Sequence, residues 1–369
     1  MNNIIQELVN KGFPNNTELV DDVTAVPPEE RFWIIPGNNG PRWLVPQCAS
    51  YNALIFQHWK PYDLVSRIKW EVLHSATFFG QLDLLPGISS VGIAGSARQT
   101  WEHLGWKEDC KPVPITYIGT PGPTQKAVIS LFDAHTKKLI SIAKIPLGSR
   151  ALINILREYD VLCNLEVERQ AVAPHPFFVD REHGLSVQEA IVGKRLGKKF
   201  TSKHLDYLNM LKIPGEVSTI YHEAEKLVTR FENLNSKNNN LIKYIDKLSY
   251  SLKDVTEIPV SKAHGDFKPW NIMQNDKGKM IAIDWEFSES KQVLGLDVIH
   301  YFFEKNLHKQ SKGYKELENF MRHFFQQSGI LNFQSQQLMA SLLTYHSLWY
   351  AIMLCENGYN VFDHIKFKL

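Results

Sequence analysis

Residues 264–271 read His264-Gly265-Asp266-Phe267-Lys268-Pro269-Trp270-Asn271, and Asp284 follows thirteen residues after Asn271 in the run Ile281-Ala282-Ile283-Asp284-Trp285-Glu286. This pairing constrains the chain more than any other feature. The first stretch is polar and carries a proline, so it reads as a loop. Short apolar runs, Ile258–Val260 and Met280–Ile283, read as strands on either side of it. Phosphoryl transfer needs an Asp to orient the attacking hydroxyl and accept its proton. It also needs an Asn and a second Asp to hold Mg²⁺ on nucleotide phosphates. Asp266 fits the catalytic role, and Asn271 and Asp284 the metal-binding ones. Taken singly, His-Gly-Asp is an ordinary loop and Asp284 an ordinary helix N-cap. Both pieces in this order, with matching residues upstream, are not a chance pattern.

The rest of the chain narrows the setting. Its 369 residues imply two or three domains or lobes at roughly 150 residues each. A content of 44% hydrophobic and 22% charged residues excludes disorder as the whole answer. The longest uninterrupted apolar run, Leu348–Cys355, is eight residues, so no membrane span is expected. The start has no basic, apolar leader pattern. A net charge of +2 shows no basic excess that would point to nucleic acid. Cys48, Cys110, Cys163 and Cys355 are scattered without a C-x-x-C, which predicts a reduced, cytoplasmic protein.

Along the chain, a short helix and an irregular arm with Pro27-Pro28 fill residues 1–30. Arg31–Ile35 and Arg42–Pro46 predict a hairpin with the five-residue loop 36–40. Helical patterns follow near Ser50–His58 and Tyr62–Phe79, the second with Leu64, Ile68, Val72 and Phe79 on an apolar side. Gly87–Gly95 reads as a small-residue loop. Ile115–Ile118, Lys126–Phe132 and Leu139–Ile145 read as strands. Arg150–Leu165 reads as a helix with Leu152, Ile155, Leu156, Tyr159 and Leu162 on one side. Strands are expected near Phe177–Asp180 and Leu185–Ile191, and helix for almost all of Thr201–Val255. Leu296–Leu307, Tyr314–Gln327 and Ser335–Cys355 read as helices.

With Gly265 after the histidine and Trp285-Glu286 after the second aspartate, the two motifs resemble the aminoglycoside phosphotransferase / choline kinase-like family of small-molecule kinases. The resemblance covers about residues 112–357. It implies an α+β, two-lobed protein kinase-like fold, with residues 112–192 as a β-rich N-lobe and 193–369 as a helical C-lobe. Residues 1–111 have no counterpart in that fold. Their apolar runs Phe32-Trp33-Ile34-Ile35 and Trp43-Leu44-Val45 need burial, so this α/β region is expected to pack on the small lobe.

The resemblance carries over further residues. Lys144, between Ala143 and Ile145, resembles the lysine that holds the α- and β-phosphates. Glu158 resembles its helix partner, with Asp160 and Glu166 as rivals. Gly119 and Gly122, in the turn Gly119–Thr124, would lie over the phosphates, though a plain hairpin turn needs no such role. Gln188, Glu189 and Ala190 resemble the hinge that meets adenine. His264 and Asp297 resemble residues that brace the catalytic loop. Glu286 serves metal or substrate, or is a surface charge. Lys194, Arg195, Lys198, Lys199 and Lys203 form a basic cluster that reads as solvated or as a contact to an anionic substrate.

The implied activity is transfer of phosphate from ATP, or GTP, with Mg²⁺, to a hydroxyl of a small molecule. The form H-G-D-F-x-P-W-N also resembles members associated with bacterial surface polysaccharide, which points to a sugar or polysaccharide precursor as acceptor. Choline or ethanolamine is an alternative, since Trp and Tyr are available for a cation–π cage. An aminoglycoside fits less well, because the helical half shows no acidic run. A rival of another class is a nucleotide-binding pseudokinase, whose mark would be a degraded site. Transfer of AMP is a further rival.

Overall fold

The computed structural model describes residues 2–48, 51–52, 54, 56, 61, 64–97, 101–104, 111–168, 171–197, 199–253, 257–304, 311–328 and 336–364. The chain divides into two compact units, Met1–Cys163 with Pro174–Val192, and Asn164–Ala173 with Gly193–Leu369. The first is β-rich and the second largely helical, the two-lobed α+β organisation that the motifs imply.

The first unit runs α1 (Asn2–Gly12), β1 (Glu18–Val20), β2 (Arg31–Gly37), β3 (Gly40–Pro46), α2 (Leu64–Phe78), β4 (Ser89–Ala94), β5 (Pro112–Ile118), β6 (Lys126–Asp133), β7 (Leu139–Pro146), α3 (Ala151–Val167), β8 (Pro176–Asp180) and β9 (Leu185–Glu189). Its strands form one nine-stranded sheet in the order β1-β4-β2-β3-β5-β6-β7-β9-β8. Residues 1–111 and 112–192 therefore share a sheet. The seam is β3 against β5, with Trp43 opposite Tyr117 and Leu44 opposite Thr116.

Helix α1 lies on this sheet. Ile5, Leu8 and Val9, with Phe13 just beyond the helix end, fall on one helical face, and all are buried with Ile129, Leu131, Ala143, Ile145 and Val187. Gly12 makes the approach possible: a Cβ there would stand 2.0 Å from Ile145 Cδ1 and 3.1 Å from Ile129 Cδ1. Alternation along β7 puts Ala143 and Ile145 on the face under α1 and Lys144 on the opposite one. Burying each of these four α1-region side chains contributes about 1.5–3 kcal/mol. A second cluster, including Ile35, Trp43, Val45, Val113, Ile115 and Phe132, joins strands from both sides of the seam.

Several local expectations are corrected. The β2–β3 connection is a two-residue turn, Asn38-Asn39, because Gly37 pairs with Gly40 and a register shift at Ile35/Pro36 accommodates the proline. The small-residue stretch after Gly87 is strand β4, paired with both β1 and β2. Serine, glycine and alanine mask its alternation, and Gly92 is small because a Cβ would meet Val26 Cγ2 at 2.7 Å. Helix α2 leaves Leu64, Ile68, Val72 and Phe79 at least half exposed. It packs instead through Trp70, Leu73 and Ala76. Helix α3 buries Ala151, Asn154, Ile155, Glu158, Leu162 and Leu165, so its inner stripe is turned away from Leu152, Leu156 and Tyr159 and includes a carboxylate. Most of the expected helix near Ser50–His58 lies outside the described residues.

The second unit contains β10 (Gly193–Arg195), α4 (Ser202–Asn209), β11 (Lys212–Thr219), α5 (Ile220–Asn233), α6 (Asn239–Tyr250), β12 (Glu257–Ala263), β13 (Ile272–Asn275), β14 (Met280–Ala282), β15 (Glu289–Val293), α7 (Leu296–Glu304), α8 (Ser311–Gln327), α9 (Gln336–Glu356) and α10 (Val361–His364). Two small sheets, β10-β13-β14 and β11-β12-β15, frame the loop that follows β12. Strand β11 breaks the helical stretch expected over 201–255. Its Pro214-Gly215 interrupts helix, and its pairing with β12 decides the conformation. By length and composition α9 could cross a bilayer. In this fold it is a core helix, with Leu342, Tyr345, Leu348 and Trp349 fully buried. Among the described cysteines, Cys48, Cys163 and Cys355 form no disulfide.

Gly12→Leu should force α1 off the sheet and lower stability by about 1–3 kcal/mol, read as a lower Tm by scanning calorimetry. A protein beginning at Lys111 exposes the β5 edge and the α1 face, and should be insoluble or melt well below the full chain. An unchanged Tm would show that residues 1–111 contribute nothing to the sheet they join.

Candidate active site

The loop after β12 is built around two backbone amides. Asp297, in the first turn of α7, accepts the N–H groups of His264 at 2.8 Å and Gly265 at 3.0 Å. Burial pushes the Asp297 carboxyl up, and the nearby His264 and the two amide donors act against it. Gly265 has φ +77°, and a Cβ there would lie 2.0 Å from the Phe287 carbonyl oxygen. A side chain at this position is excluded twice, by conformation and by space.

His264 is fully buried, and burial holds its pKa below the usual histidine value. The Asp266 N–H donates to its Nδ1 at 3.2 Å. The hydrogen-bond network then assigns the proton to Nε2, which donates to the Ile283 carbonyl at 3.0 Å. A neutral imidazole thus ties the loop to the residue before Asp284. Asp284 itself has φ +72°, an unfavourable conformation for a non-glycine residue.

Asn271 Nδ2 donates to Asp266 Oδ2 at 2.7 Å and to the Asp266 carbonyl at 3.0 Å. Its own carbonyl accepts the Ile283 N–H at 2.8 Å, which sets Asp284 one residue beyond. The Asn271 amide nitrogen is engaged, and Oδ1, the atom a hard cation takes, is outside these bonds. Asn271 and Asp284 together offer oxygen donors of the kind Mg²⁺ selects. Mg²⁺ ordinarily takes one or two protein carboxylates and completes its shell with phosphates and water. The donor set fits that ion.

Lys268 Nζ stands 2.6 Å from Asp266 Oδ1, and His300 Nε2 3.5 Å from the same atom. Burial favours a protonated Asp266, but the Lys268 ammonium and His300 outweigh it and hold the carboxyl well below the usual range. Asp266 is therefore ionised at neutral pH and able to accept a hydrogen bond from a hydroxyl. Neither Lys268 nor His300 is singled out by sequence. Their signals are positional, two residues after Asp266 and three after Asp297. Glu286 is 6% exposed, which removes the surface-charge reading of it.

In the first unit, Lys144 Nζ lies 2.6 Å from both carboxylate oxygens of Glu158. Both side chains are buried, at 5% and 1% exposure. The rivals are placed elsewhere: Asp160 pairs with Arg181, and Glu166 is exposed. The Gly119–Thr124 turn is closed by Gly119 N–H to Lys126 O at 2.8 Å and by Gln125 Nε2 to Gly119 O at 3.0 Å. The carbonyls of Pro123 and Gln125 accept from Arg150 at 2.8 Å and Gly148 at 2.7 Å. A Cβ on Gly148 would meet the Pro123 and Gly122 carbonyl oxygens at 2.3 and 2.5 Å, so Gly148 lets the turn lie against the segment after β7. Sequence reading missed Gly148; its signal is a glycine soon after the lysine strand.

Gln188 is buried in β9, while the Glu189 N–H is engaged by the His175 carbonyl at 2.8 Å and its carboxylate accepts the His175 N–H. Ala190 directly follows the strand end. In the basic cluster, Lys194, Lys199 and Lys203 are exposed and Arg195 is half-buried. Lys198 lies outside the described residues.

Residues 178–352 match the family model described as choline/ethanolamine kinase. No curated protein sequence is significantly similar. Among solved structures, the chain is similar to a choline/ethanolamine kinase family protein from Mesorhizobium loti, at 15% identity over 65% of this chain and 81% of that one, TM-score 0.39. It is also similar to choline kinase LicA from Streptococcus pneumoniae, at 20% identity over 66% and 83%, TM-score 0.34. An aminoglycoside phosphotransferase from Streptomyces rimosus matches at 13% identity over 63% and 92%, TM-score 0.38. The family match spans just under half of the chain and contains the segment that carries the two motifs.

Lys144→Met removes the ammonium from the buried Glu158 carboxylate and should cost about 3–5 kcal/mol. Urea denaturation measures it, and Lys144→Met/Glu158→Leu should recover much of the loss. A single variant as stable as the parent would contradict the buried pair.

Proposed function

We propose that this chain transfers the γ-phosphate of Mg²⁺–ATP to a hydroxyl of a sugar or polysaccharide precursor. The observation that carries the phosphotransfer reading is Asp266, partly buried yet ionised and held at one oxygen by Asn271 and at the other by Lys268. In this reading Asp266 orients the acceptor hydroxyl and accepts its proton as the new O–P bond forms and the bond from the γ-phosphorus to the bridging oxygen breaks, releasing ADP. Asn271 and Asp284 hold Mg²⁺, which when bound neutralises phosphate charge. Lys144, steadied by Glu158, orients the α- and β-phosphates. Gly119 and Gly122 lie over the phosphates, and backbone at Gln188, Glu189 and Ala190 meets the base. His264 and Asp297 keep the loop in shape. Most of the rate then comes from alignment and charge neutralisation.

The likeness of the H-G-D-F-x-P-W-N stretch to polysaccharide-associated members supports a saccharide acceptor. A second reading, an amino alcohol such as choline or ethanolamine, is favoured by the description of the family model over residues 178–352. A nucleotide-consumption screen with ATP and GTP against sugars, amino alcohols and aminoglycosides separates them. The product mass distinguishes phosphate from AMP transfer.

Asp266→Ala should lower kcat about 10²–10⁴-fold while nucleotide binding persists. Near-normal turnover would sink the catalytic assignment. Asp284→Asn should weaken nucleotide binding in Mg²⁺ and leave metal-free binding little changed, as titration calorimetry reads. Equal affinity for variant and parent in Mg²⁺ would remove Asp284 from the metal site.

A further inference from the structure

Two buried histidines, His300 and His346, stand behind Asp266. His300 lies one turn after Asp297 on α7, so the helix that clamps the loop through Asp297 also delivers His300 toward it. His300 is 1% exposed and His346, on α9, is 0% exposed. His300 Nδ1 lies 3.2 Å from His346 Nε2. His300 Nε2 is buried with no hydrogen bond, and its ion-pair neighbour is Asp266 Oδ1 at 3.5 Å. Aromatic rings hold both imidazoles in place: Trp349 edge-on to His300 at 5.7 Å, Phe303 at 4.5 Å from His346, and Tyr350 nearly parallel to His346 at 6.0 Å.

A buried imidazole nitrogen without a partner costs on the order of 1–3 kcal/mol. Catalytic hydrogen bonds are often long before substrate binds and shorten in the reacting complex. Of two neutral imidazoles in contact, one donates and the other accepts. If His346 Nε2–H donates to His300 Nδ1, the His300 proton is on Nε2, facing Asp266. Among the described residues, the charged and titratable groups around the pair include Asp266 and Lys268 from the loop, Asp297 from α7 and Tyr350 from α9.

We propose that His300, with its ring and tautomer set by His346, is a positioning residue that holds Asp266 Oδ1 in line for the acceptor hydroxyl. The inference rests on the role given to Asp266 above and adds a part of the site that the motifs do not contain.

The test uses the full-length protein labelled with ¹⁵N-histidine, and ADP release from Mg²⁺–ATP with water as the acceptor. His300 should carry its proton on Nε2, and its ring signals should move in Asp266→Asn and in His346→Phe. A proton on Nδ1, or signals indifferent to Asp266→Asn, would overturn the proposal. His300→Phe should slow ADP release about tenfold or more with KM for Mg²⁺–ATP unchanged, and His300→Gln, which keeps a donor near Nε2, should regain most of the rate. In Asp266→Ala, adding His300→Phe should cause no further loss, because both act through one carboxylate. A rate within about twofold of the parent in His300→Phe, or an equal added loss without Asp266, removes the positioning role. Should Asp266→Ala alone keep full activity, the fault lies in the phosphotransfer reading and not in the pair. Where the water reaction is too slow to read, the nitrogen spectra decide.

Discussion

The carboxylate of Asp297 is the contact on which the candidate site depends. It takes the N–H groups of His264 and Gly265 at the point where the chain leaves β12. The loop then has one way to run: Gly265 turns tightly against the Phe287 carbonyl, His264 reaches the Ile283 carbonyl, and Asp266 emerges beside Asn271. The two amides that Asp297 accepts belong to the buried His264 and Gly265, so losing that carboxylate is costly. The partly buried Asp266 carboxylate keeps a low pKa because Lys268 and His300 stand on one oxygen and Asn271 on the other.

The first unit solves a similar problem with a single ion pair. Lys144 and Glu158 bury opposite charges at 2.6 Å, an arrangement that adds little to net stability yet allows few alternatives, since either charge alone would be intolerable. The strand that carries Lys144 is packed from behind by α1, through the gap that Gly12 leaves at Ile145. Residues before 112 thereby belong to the packing of a residue assigned to phosphate binding. In strand order they widen the sheet, with β3 as the junction.

Legibility in the sequence followed the range of the interactions. Strands β5, β6 and β7 are readable from short runs rich in Ile, Val, Leu and Phe, most of them buried on both faces. Strand β4 was not, because serine and glycine replaced the apolar partners that make alternation visible. Strand β11 reads as helix in the sequence, because its conformation comes from pairing with β12, about forty to fifty residues away. For α2 the visible apolar stripe was misleading: neighbouring strands cover Trp70 and Leu73 instead. The same holds at the site. Asp266, Asn271 and Asp284 stand out by spacing alone, whereas Lys268 and Gly148 act through what folds against them.

Sequence alone determined the chemistry on offer: the ionisable and amide groups of 264–271, Asp284 at the end of an apolar run, a lysine inside a strand and a carboxylate on the following helix. Those choices are local, and their spacing is set by a loop and two short strands. Only the tertiary structure decided which groups meet. It chose Glu158 over Asp160 and Glu166, because the inner face of α3 is set by what packs against it and not by its apolar count. It brought His300 from α7 and His346 from α9, far apart in the chain, to the back of Asp266. No periodicity announces such a pair, since a histidine on a helix face is defined by its neighbours across the core, and those are fixed by packing alone.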